Sequence, residues 1–134
     1  KETPYDLPDE SLVLLNVHSM KSDTIDFNTK IIINFWASWC KPCLKELPYF
    51  DSLSKLNDDN FRMILISFES LSIQKIFLSK KDAGNYFLGD SSQFFKSPDV
   101  LPLTLFIENH KVVEEFYGVK KWDTIVPNFL LRKP

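Results

Sequence analysis

Apolar residues fall into short runs separated by polar clusters, and the spacing inside each run predicts its element. Leu12 to Val17 (LVLLNV) reads as a short strand, and Lys21 to Asp23 as a polar turn. Thr24 to Phe27 then returns as a second strand, giving an N-terminal hairpin. Ile31 to Phe35 (IIINF) has no polar residue before Asn34, the pattern of a central strand covered on both faces. From about Cys40 to about Leu56, apolar residues recur at every third position: Leu44, Leu47, Phe50, Leu53 and Leu56. That is the stripe of a helix buried along one side. Pro48 lies inside it and should kink it by removing one backbone bond.

The polar cluster NDDN at 57–60 ends this helix, and Arg62 to Phe68 is a second buried strand. A helix is expected over Ser70 to Lys81, facing the core with Leu71, Ile73, Ile76, Phe77 and Lys80 and stopped near Gly84. Tyr86 to Leu88 is a short strand, and Ser91 to Lys96 is expected to form one or two helical turns. Leu103 to Glu108 and Val112 to Tyr117 are two strands whose connection, Asn109 to Lys111, is short enough only for an antiparallel hairpin. A last helix is expected from about Lys121 to Leu131, interrupted at Pro127. A βαβ half followed by a ββα half is an α/β arrangement; periodicity carries the assignment no further.

Composition narrows the class. With 134 residues and 44% hydrophobic content, the chain suits a single core over residues 12–134. Residues 1–11 are polar with two prolines and read as a lead-in or tether, and a chain that opens on Lys1 rather than Met suits a mature or trimmed form. A net charge of −2, with charges interspersed, points to neither nucleic acid nor an anionic membrane surface as partner. No apolar run approaches the roughly 18 residues of a membrane-spanning helix.

Candidate chemistry concentrates in FWASWCKPC, residues 35–43, where the Ile31 strand delivers two cysteines to the start of a helix. Cys40 and Cys43 are the chain's two cysteines. Residues three apart on a first helical turn are neighbours, close enough for a disulfide. Pro42 is tolerated between them because first-turn amides lack intrahelical acceptors. Unpaired amides and a partial positive charge there stabilise a thiolate, so Cys40 is the candidate nucleophile and Cys43, one turn deeper, the resolving thiol. Two other uses of the pair remain: a structural staple, and a zinc site. Zinc needs two further ligands, and the two histidines, His18 and His110, lie far from the motif.

The same segment resembles the active-site stretch of the thioredoxin superfamily. Asn34 in place of an acid before Phe35, Glu46 after Cys43, and Pro48 make it most similar to the TlpA/ResA branch, bacterial extracytoplasmic thiol–disulfide reductases. More weakly, the resemblance extends over about Leu12 to Leu131. It implies a three-layer thioredoxin fold: a mixed central sheet flanked by helices, with the N-terminal hairpin as an extension. It also implies a proline at Pro102 that is cis and faces the dithiol, with the Leu101 backbone available to a substrate strand. Sequence physics alone favours trans, since X–Pro bonds in folded proteins are cis only about 5–6% of the time. Trp39, Pro42, Leu101 and Pro102 are then the expected substrate contacts, and Trp36 is core. Leu103 stands where the family often has threonine.

Glu46 reads either as a solvated surface residue or, by resemblance, as the partly buried carboxylate that exchanges protons with Cys43, since Asn34 cannot titrate. The resemblance thus implies an oxidoreductase with a Cys40–Cys43 dithiol and no further cofactor or metal. It would be a monomer outside the bacterial cytoplasm, reducing protein disulfides with electrons from a membrane dithiol donor. Cytochrome c maturation is one use of that branch. The alternatives are an oxidant of the DsbA kind, a thiol peroxidase, and a binding or chaperone module whose dithiol is vestigial.

Overall fold

The computed structural model describes Leu7 and residues 11–81, 84–90 and 96–133. One seven-stranded mixed sheet organises them, in the order β2-β1-β5-β4-β3-β6-β7. The strands are β1 (Leu12–Asn16), β2 (Ser22–Ile25), β3 (Lys30–Phe35), β4 (Phe61–Ser67), β5 (Tyr86–Leu88), β6 (Leu103–Glu108) and β7 (Lys111–Tyr117). The helices are α1 (Lys41–Ser54), α2 (Leu71–Phe77) and α3 (Trp122–Leu131). β3 runs parallel to β4 and antiparallel to β6, and β1 joins the sheet antiparallel to β5.

The unbroken apolar character of β3 has the expected cause. Ile31, Ile33 and Phe35 enter one core, with Ile64, Ile66, Leu103 and Leu105, while Ile32 enters the other, with Met63, Leu65 and Phe106. The second of these cores also takes the buried sides of the helices: Cys43, Leu47, Phe50 and Leu53 from α1, and Trp122, Val126 and Phe129 from α3. The opposite core is filled from the strands, with the hairpin residues Leu12, Leu14, Ile25 and Phe27 among them.

Several elements differ from their sequence expectation. β2 begins at Ser22, because the Asn16 side chain accepts the amides of His18 and Ser19 at 2.9 Å each and closes the turn early. α1 starts after Cys40, ends at Ser54, and runs through Pro48 as one helix. Its buried stripe is Cys43, Glu46, Leu47, Phe50 and Leu53, while Leu56 is exposed. α2 is shorter than expected and turned: Ile73 and Ile76 are exposed, and Gln74 and Leu78 are buried. Gln74 is held inward by its amide, which donates to Ser67 O at 3.0 Å and Glu69 O at 2.8 Å. Leu78, not Gly84, caps this helix.

The helical turns expected over Ser91 to Lys96 lie outside the described residues apart from Lys96, which is irregular. The β6–β7 connection is the two-residue turn Asn109–His110, both at positive φ (51° and 62°), as a type I′ hairpin turn requires. α3 likewise runs unbroken through Pro127. It is tied at its C-terminal end by Lys30 Nζ, which donates to Phe129 O at 2.7 Å, and at its start by Tyr49, whose hydroxyl donates to Trp122 O at 3.2 Å.

Candidate active site

Cys40 occupies the N-cap of α1 and is disulfide-bonded to Cys43, with 5.3 Å between their Cα atoms. The amide of Cys43 donates to Cys40 Sγ at 3.3 Å, so the cap's sulfur takes a first-turn N–H that would otherwise be unpaired. No acidic residue stands in that first turn to oppose a negative sulfur. The pair is asymmetric: Cys40 is 4% exposed and Cys43 not at all. Trp39 beside it is 72% exposed, and Pro42 is exposed on the first turn.

The loop carrying Trp39 is held by a residue that sequence reasoning missed. Glu69, just past β4, accepts the Ser38 amide at 2.7 Å and the Ser38 hydroxyl at 2.6 Å. Ser67 Oγ also donates to it at 3.2 Å, and Gln74 fixes the backbone of Ser67 and Glu69 from below. The parallel register that sets Phe35 against Ile66 brings the two strand ends together. A carboxylate two residues beyond a buried strand was the signal available in the sequence.

Trp36 is core as expected, edge-on to Tyr86 with ring centroids 5.6 Å apart. The Leu101–Pro102 peptide is cis, and Pro102 O accepts the amide of Gly118 at 2.9 Å. Gly118 sits at φ 85°, a conformation that favours glycine. Trp39 and Leu101 both line a cleft of about 170 Å³, together with Trp36, Ala37, Phe68 and Glu69. Pro42 and Pro102 do not line it.

Glu46 is 3% exposed, which excludes the solvated surface reading. Its carboxyl is pushed up from the ordinary 4.5 to about 7 by burial, against the pull of the Trp122 indole N–H and of the Lys120 backbone amide. Trp122 Nε1–H donates to Oε2, whereas Oε1 has no hydrogen-bond partner among the described residues. Asn34, the position where a strand carboxylate was absent, is fully buried and donates to Thr104 Oγ1 at 3.0 Å.

A disulfide capping the helix that follows the central strand, in a mixed sheet with a cis proline at the head of the neighbouring antiparallel strand, defines a thioredoxin-fold protein. Solved structures share this fold. The exposed lipoprotein thioredoxin of Streptococcus pneumoniae superposes with a TM-score of 0.74 at 23% identity, covering 89% of this chain and 97% of that one. StoA from Bacillus subtilis superposes with a TM-score of 0.69 at 20% identity, covering 88% and 96%.

The chain belongs to the Redoxin family, whose model matches residues 5–129. Among curated relatives, the thiol-disulfide oxidoreductase ResA of Bacillus thuringiensis subsp. konkukian is 30% identical over 115 residues, 81% of this chain and 66% of that protein. The thioredoxin-like protein YneN of Bacillus subtilis is 42% identical over 41 residues, 31% of this chain and 24% of that protein. The chain therefore spans just under two thirds of the ResA relative and about a quarter of YneN.

Proposed function

We propose that this chain is a thiol–disulfide oxidoreductase working as a reductase of protein disulfides, with Cys40 as nucleophile, Cys43 as resolving thiol and Glu46 as its proton acceptor. The observation that carries the reading is the Cys40 sulfur at the α1 N-cap, receiving the Cys43 amide at 3.3 Å. In the reduced protein the same amide and the helix dipole favour the Cys40 thiolate.

That thiolate attacks one sulfur of a substrate disulfide. A Cys40–substrate disulfide forms, and the other substrate sulfur leaves as a thiolate. Cys43 then gives its proton to Glu46 and attacks Cys40 Sγ. The Cys40–Cys43 bond forms, the second substrate sulfur leaves as a thiolate, and two electrons have passed to the substrate. Trp39 and Leu101, which both line the cleft, would supply the apolar contact for the substrate chain, and Pro42 and Pro102 would complete the substrate contacts.

The resemblance to the TlpA/ResA branch, and the relative named ResA, support a setting outside the bacterial cytoplasm. There the dithiol would be restored by a membrane dithiol donor, the protein would act as a monomer, and cytochrome c maturation is one use. Among the described residues no helix is long and apolar enough to cross a membrane.

The test is insulin reduction together with the reduction potential of the Cys40–Cys43 couple. Turnover lost in Cys40→Ser, with a potential near about −270 mV or lower, is expected; a potential near about −120 mV would make the protein an oxidant. Absence of exchange under any reductant would leave a binding module.

A further inference from the structure

We propose that Trp122 is a positioning residue for this dithiol chemistry: its indole N–H fixes one oxygen of Glu46 and leaves the other as the place where the Cys43 proton is received. The inference rests on the reading of Glu46 as the proton acceptor.

Trp122 is the first residue of α3 and is buried. Its ring is held from three elements, at centroid distances of 5.5 Å from Phe50 of α1, 6.1 Å from Phe106 of β6 and 5.4 Å from Phe116 of β7. Tyr49 holds its carbonyl as well. A ring packed in this way does not turn its N–H to another acceptor, so the direction of the bond to Glu46 is set by the core and not by the carboxyl. An indole nitrogen is a donor only. The oxygen facing the indole is therefore the poorer place for a proton, and Oε1, which has no hydrogen-bond partner among the described residues, is the better one.

The electrostatics agree with the geometry. Burial alone disfavours the carboxylate, and the indole N–H is the larger of the two contributions that restore it, bringing the group to about 7. Without the donor, the carboxylate loses the larger of these two contributions and holds its proton more tightly. The other titratable or charged groups near the pair are Cys43, Lys45 and Tyr49 on α1, and Lys120, Lys121 and Asp123 around the start of α3. Lys45, Lys120, Lys121 and Asp123 are exposed. Tyr49 is raised by burial and then by Asp123. β6 and β7 contribute the uncharged Phe106 and Phe116 to this packing.

Two measurements test the assignment. In the oxidised wild type, where the cysteines do not titrate, the indole ¹H–¹⁵N resonance of Trp122 should move between pH 5 and 9 with a midpoint near 7, and should stop moving in Glu46→Gln. A Trp122 resonance that stays still while the Glu46 carboxyl carbon titrates would overturn the proposal. In the reduced protein, Trp122→Phe keeps most of the ring packing and removes the donor. A hydrogen bond to a charged group is worth enough to move the limb of the resolving-step pH profile upward by about one pH unit, slowing resolution about fivefold at pH 7. Attack by Cys40 should be unchanged.

A profile altered by Glu46→Gln but not by Trp122→Phe overturns the role of Trp122 alone. A profile altered by neither overturns the reading of Glu46 beneath it. Should Trp122→Phe fail to fold, the wild-type indole titration decides.

Discussion

Replacing Glu46 with glutamine in the oxidised protein should remove a fall in stability between about pH 4.5 and 7. The folded carboxyl titrates at about 7, above its ordinary 4.5, because burial outweighs the hydrogen bonds it receives. A group raised in this way binds its proton more tightly folded than unfolded. Its stabilising contribution is complete below the unfolded value and is lost as pH rises through the folded one. At about 1.4 kcal/mol per pH unit, the ceiling on that loss is about 3 kcal/mol. Glutamine keeps the bulk and an oxygen for the Trp122 N–H, and it does not titrate.

Using the oxidised form leaves Cys43 out of the titration, since its sulfur is bonded to Cys40. The assay is urea unfolding of both proteins from pH 4.5 to 8, read as the difference between them, so that groups common to both cancel. Wild type should lose up to about 3 kcal/mol relative to Glu46→Gln across this window. Parallel curves would refute the reasoning, and so would a wild type that gains stability relative to the variant as pH rises.

In the reduced protein, a short iodoacetamide pulse followed by mass mapping should label Cys40 ahead of Cys43, the one residue being slightly exposed and the other fully buried; faster labelling of Cys43 would reverse their roles. Glu69→Gln should cost about 1–3 kcal/mol, because a carboxylate accepting both Ser38 groups is replaced by an amide that brings a donor against them. Hydrogen exchange at the Ser38 amide should quicken, and unchanged protection would refute the clamp. Gln74→Leu, apolar for polar, should destabilise by about 1–3 kcal/mol by stripping the donor from Ser67 O and Glu69 O. Ile76→Ser on the same helix should cost less than about 0.5 kcal/mol, since Ile76 is exposed. Urea unfolding gives the order, and the opposite order would refute the assignment of the buried face.

Local pattern determined much of this protein. The run IIINF reads as a strand covered on both sides, and the cysteines after it lie where a helix begins, because strand period, first-turn geometry and the tolerance of Pro42 are properties of neighbouring residues. Glu46 was singled out only by the resemblance, since its place in the chain alone suited a solvated surface residue equally well. α2 shows where such reasoning stops. Hydrophobicity placed Ile73 and Ile76 inward, yet the buried residue is Gln74, because the end of β4 presents carbonyls that need a donor and an amide side chain supplies it.

The same holds for Glu69, which meets Ser38 only because β3 and β4 run parallel in a fixed register. Trp122 fell inside the helix expected from about Lys121, with no role assigned to it. Only the packing of α3 against α1, β6 and β7 turns its N–H onto a carboxyl 76 residues earlier. Contacts between distant segments carry no periodic signature in the chain, so the tertiary structure alone decided which polar groups pair around the dithiol.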